Sequence, residues 1–304
     1  MAYLHSDREQ FRDAIDLAYE QTGVMVQAIE KDYYVTMLLR LLAQKMPYIV
    51  FKGGTSLSKC HKVIRRFSED IDITIDTLLS QGQKKKIKQA IVDSAQELGM
   101  TIENLDETRS RRDYNRYVIA YDSVIPMASD ALKAAVLLET SYTAVSFPTV
   151  LLPVHSYIGD MMEQEAPDAI EEYNLNPFEM KVQGIDRTLA DKVFAVCDYY
   201  LQGKVAKHSR HLYDIYKLLL LVPQNENFRE LVKEVRAVRA QSVVCPSALP
   251  EADVPELLEK IIKERAYKQD YDSLTTQLLE ENVPYDTVIA ALKKVAENSL
   301  FENN

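Results

Sequence analysis

The chain has 304 residues, 47% of them apolar, and a formal net charge of −10. That length buries a sizeable core and fits one catalytic domain with an appended domain better than a single unit. The acidic balance excludes attraction to nucleic acid over the whole surface, and three scattered cysteines, Cys60, Cys197 and Cys245, form neither a disulfide framework nor a zinc-ligand spacing.

In chain order, the opening MAYLHSDREQ lacks the basic start and apolar stretch of a signal peptide. Apolar runs such as 35–42 and 218–222 are far short of the ~20 residues that span a bilayer. A cytoplasmic setting with no membrane partner is the expectation. Residues 7–46 read as two helices. In the second, Ala28, Tyr33, Met37, Leu38, Leu41 and Leu42 recur at helical spacing, and Pro47 stops the run.

The β-rich run 48–51 ends at Gly53-Gly54, so Phe51-Lys52-Gly53-Gly54-Thr55-Ser56 is a strand running into paired glycines. Such a turn lets backbone amides approach a triphosphate, and the helix after it offers its positive end to the anion. Ser56 and Ser58 follow closely enough to touch phosphate or to cap that helix. A second strand, Ile71–Ile75, opens with Asp70-Ile71-Asp72-Ile73. The carboxylates at i and i+2 share one face of the strand and the isoleucines the other. Two carboxylates this close repel each other unless a cation sits between them, and Mg²⁺ prefers a few carboxylates plus substrate phosphates. The plainer alternative is an exposed acidic edge strand.

Next comes an amphipathic helix over 84–98, closed by Gly99. Its cluster Lys84-Lys85-Lys86 with Lys88, and the later Arg109 with Arg111-Arg112, read as solvated faces against the acidic background. Strands are predicted at 117–121, 134–142, 150–154 and 179–182. From Asp186 the pattern turns helical. Leu189, Val193, Phe194, Cys197 and Leu201 mark one helix; Leu212, Ile215, Tyr216 and Leu219 mark the next, with Ser209 as its N-cap. The remainder is helical to about residue 300, interrupted near 245–255. Read alone, Lys192 is an exposed lysine, and Arg210, Asp214 and Lys217 are surface ion pairs one turn apart. His208 and His211 read as solvent-facing residues at a helix start.

The string FKGGTSLSKCHKVIRRFSEDIDITI resembles the AbiEii/AbiGii toxin family of nucleotidyltransferases, whose signature is Gly-Gly-Thr followed by Arg-x-Ser-x-Asp-x-Asp. Here these are Gly53-Gly54-Thr55, then Arg66, Ser68, Asp70 and Asp72. The resemblance implies an α+β fold: a polymerase-β-like nucleotidyltransferase core with a small mixed sheet and N-terminal helices over 1–184. A helical domain over 185–304, closing the nucleotide cleft, would follow. It implies transfer of a nucleoside monophosphate from an NTP to an acceptor, with Asp70 and Asp72 holding Mg²⁺ (or Mn²⁺). Gly53, Gly54, Thr55, Ser56, Lys59, Arg66 and Ser68 would bind the nucleotide. Lys192, in LADKVFAV, and Asp214, in RHLYDIYKL, match the family's later lysine and aspartate. The first would touch the triphosphate, and the second would orient it or a substrate hydroxyl.

A third metal carboxylate, usual in the wider superfamily, falls to Glu139 in AVLLETSY or to Asp122 in VIAYDS. A charge in an apolar strand is costly unless coordinated or paired, so Glu139 could instead pair with Lys133. Family members act as toxins of toxin–antitoxin and abortive-infection systems, and some modify the 3′ end of tRNA. A tRNA acceptor and a cognate antitoxin protein are therefore expected. Rival readings are nucleotidylation of a protein hydroxyl, or a non-catalytic binding module on the same fold.

Overall fold

The computed structural model describes residues 2–126, 133–145 and 147–302. The chain divides into two compact units: Met1–His61 with Ser68–Gln183, and Gly184–Asn304 with Lys62–Phe67. The short segment 62–67 thus leaves the first unit in the middle of the glycine–aspartate string and belongs with the C-terminal helices.

The first unit opens with helix α1 (Arg8–Thr22), whose first N–H groups are capped by the Asp7 carboxylate. Helix α2 (Val26–Lys45) is buried along most of its length. Strand β1 (Ile49–Lys52) leads into helix α3 (Gly53–Lys59), followed by β2 (Ile71–Ile75) and helix α4 (Gln81–Glu97). Strands β3 (Thr101–Ile102), β4 (Tyr114–Ala120), β5 (Ala135–Val145) and β6 (Thr149–Val154) come next. Helices α5 (Tyr157–Glu165) and α6 (Pro167–Glu172) then precede β7 (Phe178–Gln183).

The seven strands form one mixed sheet in the order β3-β4-β5-β2-β1-β7-β6. The β2–β5 and β1–β7 pairs are parallel and the other neighbours antiparallel. Helix α4 begins three residues before the lysine run because Ser80 and Gln83 form a reciprocal capping box. The short helices α5 and α6 have no counterpart in the apolar pattern. Ser156 starts α5 by accepting the Gly159 N–H at 2.9 Å.

The sheet has two unlike faces. On β4, Asn115, Tyr117 and Ile119 are buried while Tyr114 and Arg116 are exposed. On β2, Ile71 and Ile73 are fully buried and Asp72 is half-buried. Helix α2 packs on β5 and α4 on β3. Tyr34 of α2 stacks on Tyr121, with ring centroids 4.2 Å apart. Burying apolar groups this way is the main stabilising term. It leaves the alternate side chains of β2, β5 and β4 on the open face.

The second unit is helical: α7 (Ile185–Leu201), α8 (Arg210–Leu219), α9 (Glu226–Arg239), α10 (Val254–Glu264) and a last helix, Tyr285–Glu297. Helix α7 packs against α8, α9 and α10, and the last helix against α8 and α10. Arg239 ties α9 to α7 through Asp191 (3.1 Å) and Asp198 (2.7 Å). The 62–67 segment is stitched in by Phe67 N–H to Leu278 O (2.9 Å) and Glu280 N–H to Arg65 O (3.0 Å). Ser209 occupies the N-cap position of α8, but its hydroxyl bonds Thr275 at 2.6 Å rather than the helix N–H groups. Among the described residues, no helix is long and apolar enough to cross a membrane.

Candidate active site

The glycine turn and Asp72 meet in the first unit, with Asp70 just before the start of β2. Strand register places Lys52 of β1 opposite Asp72 of β2, and Asp72 opposite Glu139 of β5. Glu139 in turn faces Arg116 of β4. Lysine, two acids and arginine therefore follow one another across four strands. Gly53, the next residue after Lys52, has φ +80°, a conformation that L side chains rarely adopt. A Cβ built there would overlap the Asp72 carboxylate. The first glycine is thus required twice, by its backbone and by the carboxylate that occupies its missing side chain.

The rest of the glycine string supports this turn from behind. Thr55 and Ser68 share a hydrogen bond at 2.9 Å, joining the Gly-Gly-Thr segment to the Ser-x-Asp-x-Asp segment. Ser56 and Ser58 do not cap α3, which begins at Gly53 itself. Their hydroxyls donate back to the Gly53 and Thr55 carbonyls at 2.9 and 3.1 Å. Lys59 closes α3 and turns into the interior. It is buried in an ion pair with Asp32 of α2, and Asp32 also accepts the Tyr157 N–H at 3.1 Å.

Of the two third-carboxylate candidates, Glu139 lies beside Asp72 in register. Asp122 lies past the far end of β4, its side chain 86% exposed and paired with Arg8. Glu139 is paired with Arg116 (3.8 Å) rather than Lys133. Burial, then the charge of Glu139, pushes the Tyr114 hydroxyl pKa up, so it stays protonated. Among the described residues, no three His, Cys, Asp or Glu side chains are gathered as a ready-made metal cage. Asp70 and Asp72 are nonetheless a suitable donor set for Mg²⁺, which takes one or two carboxylates and completes its shell with water and substrate phosphates.

The second unit holds the other matched residues. Arg66 grips Asp214 with both arms, Nε to Oδ1 at 2.7 Å and Nη2 to Oδ2 at 2.8 Å. Lys192 of α7 reaches the same carboxylate at 2.8 Å. Asp214 is 0% exposed and both cations are buried, which overturns the surface readings of Asp214 and Lys192. Lys217 instead pairs with Glu281 at 2.9 Å. Burial disfavours the charged form of Asp214, but Arg66 and Lys192 outweigh it and hold the carboxyl well below the usual range. Burial lowers the Lys192 ammonium pKa, with Arg66 adding to that and Asp214 opposing it.

His211 was missed by the sequence reading. Its Nδ1 lies 3.1 Å from the Lys192 ammonium and accepts from it, which fixes the neutral ring. Burial first, and Lys192 next, push its pKa well below 6.5. His208 stacks on Tyr199 with centroids 3.5 Å apart, so neither histidine simply faces solvent. A lysine at i and a histidine 19 residues on, in the next helix, give no sequence signal of contact.

The two basic runs, separate in sequence, come together in the first unit. Lys88 and Arg109 both donate to the Thr108 carbonyl at 2.9 Å, and Lys84 pairs with Asp113. The buried Asn115 amide clamps the Arg109 backbone, accepting at 2.8 Å and donating at 3.1 Å. The loop leads directly into Tyr114 and Arg116, beside Glu139.

The family described as nucleotidyl transferase AbiEii toxin, type IV toxin–antitoxin system, matches residues 36–293. A search of curated proteins finds no match. Among solved structures, the chain resembles MenT4, a nucleotidyltransferase toxin from Mycobacterium tuberculosis, with TM-score 0.52 and 16% identity over 93% of this chain and 88% of that one. That likeness is one of fold. The family match spans both units and includes the glycine turn, the aspartate pair, Lys192 and Asp214, so the chain belongs to the AbiEii family of nucleotidyltransferase toxins of type IV toxin–antitoxin systems.

Proposed function

We propose that this toxin transfers a nucleoside monophosphate from an NTP to the 3′ end of tRNA, with Asp70 and Asp72 holding Mg²⁺ or Mn²⁺ beside the triphosphate. The observation that supports this reading is the packing of the Asp72 carboxylate against Gly53, a carboxylate suited to a cation beside a glycine turn suited to phosphate. Bound there, the cation would neutralise the triphosphate and lower the pKa of the attacking hydroxyl. The acceptor oxygen forms a bond to the α-phosphorus as the α–β bridging bond breaks. Pyrophosphate leaves with that electron pair, and the hydroxyl proton passes to a carboxylate of the Asp70–Asp72–Glu139 face. Gly53, Gly54 and Thr55 supply the phosphate-binding turn, with Ser56 and Ser68 bracing it.

Lys192 is the triphosphate ligand of the helical unit, and Asp214 and Arg66 position it. Phosphoryl transfer depends on such positioning and charge more than on covalent participation. Glu139 serves as the third carboxylate once released from Arg116. The basic surface of α4 and the 109–112 loop supports a nucleic-acid acceptor over a protein hydroxyl. Three cysteines that form no disulfide suit a reducing cytoplasm. The test is incubation with each labelled NTP together with total bacterial RNA and total protein. Label at the 3′ end of small RNA is expected; label confined to protein would move the acceptor to a protein hydroxyl.

A further inference from the structure

The open sheet face carries one aromatic side chain that the reaction above does not use. Tyr114 heads β4 and is 52% exposed, although it stands one register step from Glu139 and two strands from Asp72. Large exposed aromatics on a sheet face commonly mark a binding surface rather than a packing need. It lies on the same sheet face as Arg116 of its own strand and Glu139 of β5, because strand residues two apart project to one side. On one side stands Arg116, with its side chain 53% exposed. On the other, the chain arrives from the loop bearing Arg109, Arg111 and Arg112, held in shape by Asn115 and Lys88. An exposed aromatic on a strand that carries Arg116 and follows the basic 109–112 loop, in a chain of net charge −10, is a local match for a base and its flanking phosphates.

Resting on the reading of an RNA acceptor, we propose that Tyr114 is the stacking platform for the terminal base of the acceptor strand. Arg116 and the 109–112 loop then hold the phosphates that precede that base. Sequence-tolerant stacking contributes enough per base to change affinity roughly 5- to 150-fold. The platform would set where the 3′-hydroxyl lies relative to Asp72, making Tyr114 a positioning residue rather than a participant in proton transfer.

The test uses the full chain with a labelled NTP and small RNA, comparing Tyr114→Phe, Tyr114→Ala and Arg116→Ala. Tyr114→Ala should raise the KM for RNA at least about fivefold while leaving the KM for NTP unchanged. Tyr114→Phe keeps the stacking ring and loses only the hydroxyl, so it should stay within about twofold of wild type. Arg116→Ala should raise the RNA KM and flatten its salt dependence by roughly one phosphate contact. Because Tyr114 is exposed, thermal midpoints should barely move, and any variant that unfolds is replaced by Tyr114→Leu. An RNA KM unaltered in Tyr114→Ala, or equal losses in Phe and Ala, overturns the stacking role while leaving an RNA acceptor standing. If wild type labels protein and no RNA, the acceptor reading itself falls, and the platform with it.

Discussion

At the residue scale, the account turns on Gly53. Alanine there must adopt a left-handed conformation costing roughly 1–2 kcal/mol, and its methyl must displace the Asp72 carboxylate. Gly53→Ala should therefore lose transfer activity at least about 100-fold. Gly99 also has positive φ but open space around it. Gly99→Ala should cost comparable stability and no activity. Equal activities in the two variants would remove the argument that Asp72 depends on this glycine. Lys192 is the second residue to probe. Lys192→Met leaves Asp214 braced by Arg66, so NTP affinity should fall with only modest loss of stability. Asp214→Ala leaves two buried cations without this carboxylate and should destabilise by about 3–5 kcal/mol. A Lys192→Met variant indistinguishable from wild type at limiting NTP would make the lysine structural only.

At the scale of elements, the α7–α8 pair gives the helical unit a pH dependence. The folded chain keeps His211 neutral, because burial and Lys192 depress its pKa, whereas the unfolded chain takes up a proton near pH 6.5. Below pH 6.5 the unfolded state therefore binds more protons, and stability falls as pH falls, by up to about 1.4 kcal/mol per pH unit for each such histidine. Asp214, with its depressed pKa, adds its own loss only as pH drops below the ordinary carboxylate range near 4. His211→Gln should flatten the decline between pH 6.5 and 5 in denaturant titrations, and an unchanged slope would contradict a neutral His211 beside Lys192. Much at this scale was legible in the chain. Glycine–strand and Asp-x-Asp patterns are local, as are the apolar periodicities of α1, α2, α7 and α8. The pairing of Arg66 with Asp214 spans 148 residues, and the opposition of Asp72, Glu139 and Arg116 depends on strand register. Neither leaves a local trace. The pairing of Lys59 with Asp32, one helix earlier, is equally invisible in the local pattern.

At the scale of the molecule, a net charge of −10 coexists with one basic surface. Replacing Arg111 and Arg112 with Glu should raise the RNA KM and lower the slope of log K against log salt by about 0.7–0.9 for each lost phosphate contact. NTP binding should not change, since neither residue belongs to the glycine or aspartate elements; a salt response identical to wild type would leave the surface as a solubilising face. The proposed transfer depends on Asp72 beside the glycine turn and on Asp70 two residues before it. Its most direct test is the transfer rate of Asp70→Ala and Asp72→Ala with labelled NTP and RNA, read alongside their thermal midpoints and growth arrest on expression. Both variants should fold as wild type does, lose several orders of magnitude in transfer and no longer arrest growth. Folded variants that each retain more than about a tenth of wild-type transfer would contradict the assignment.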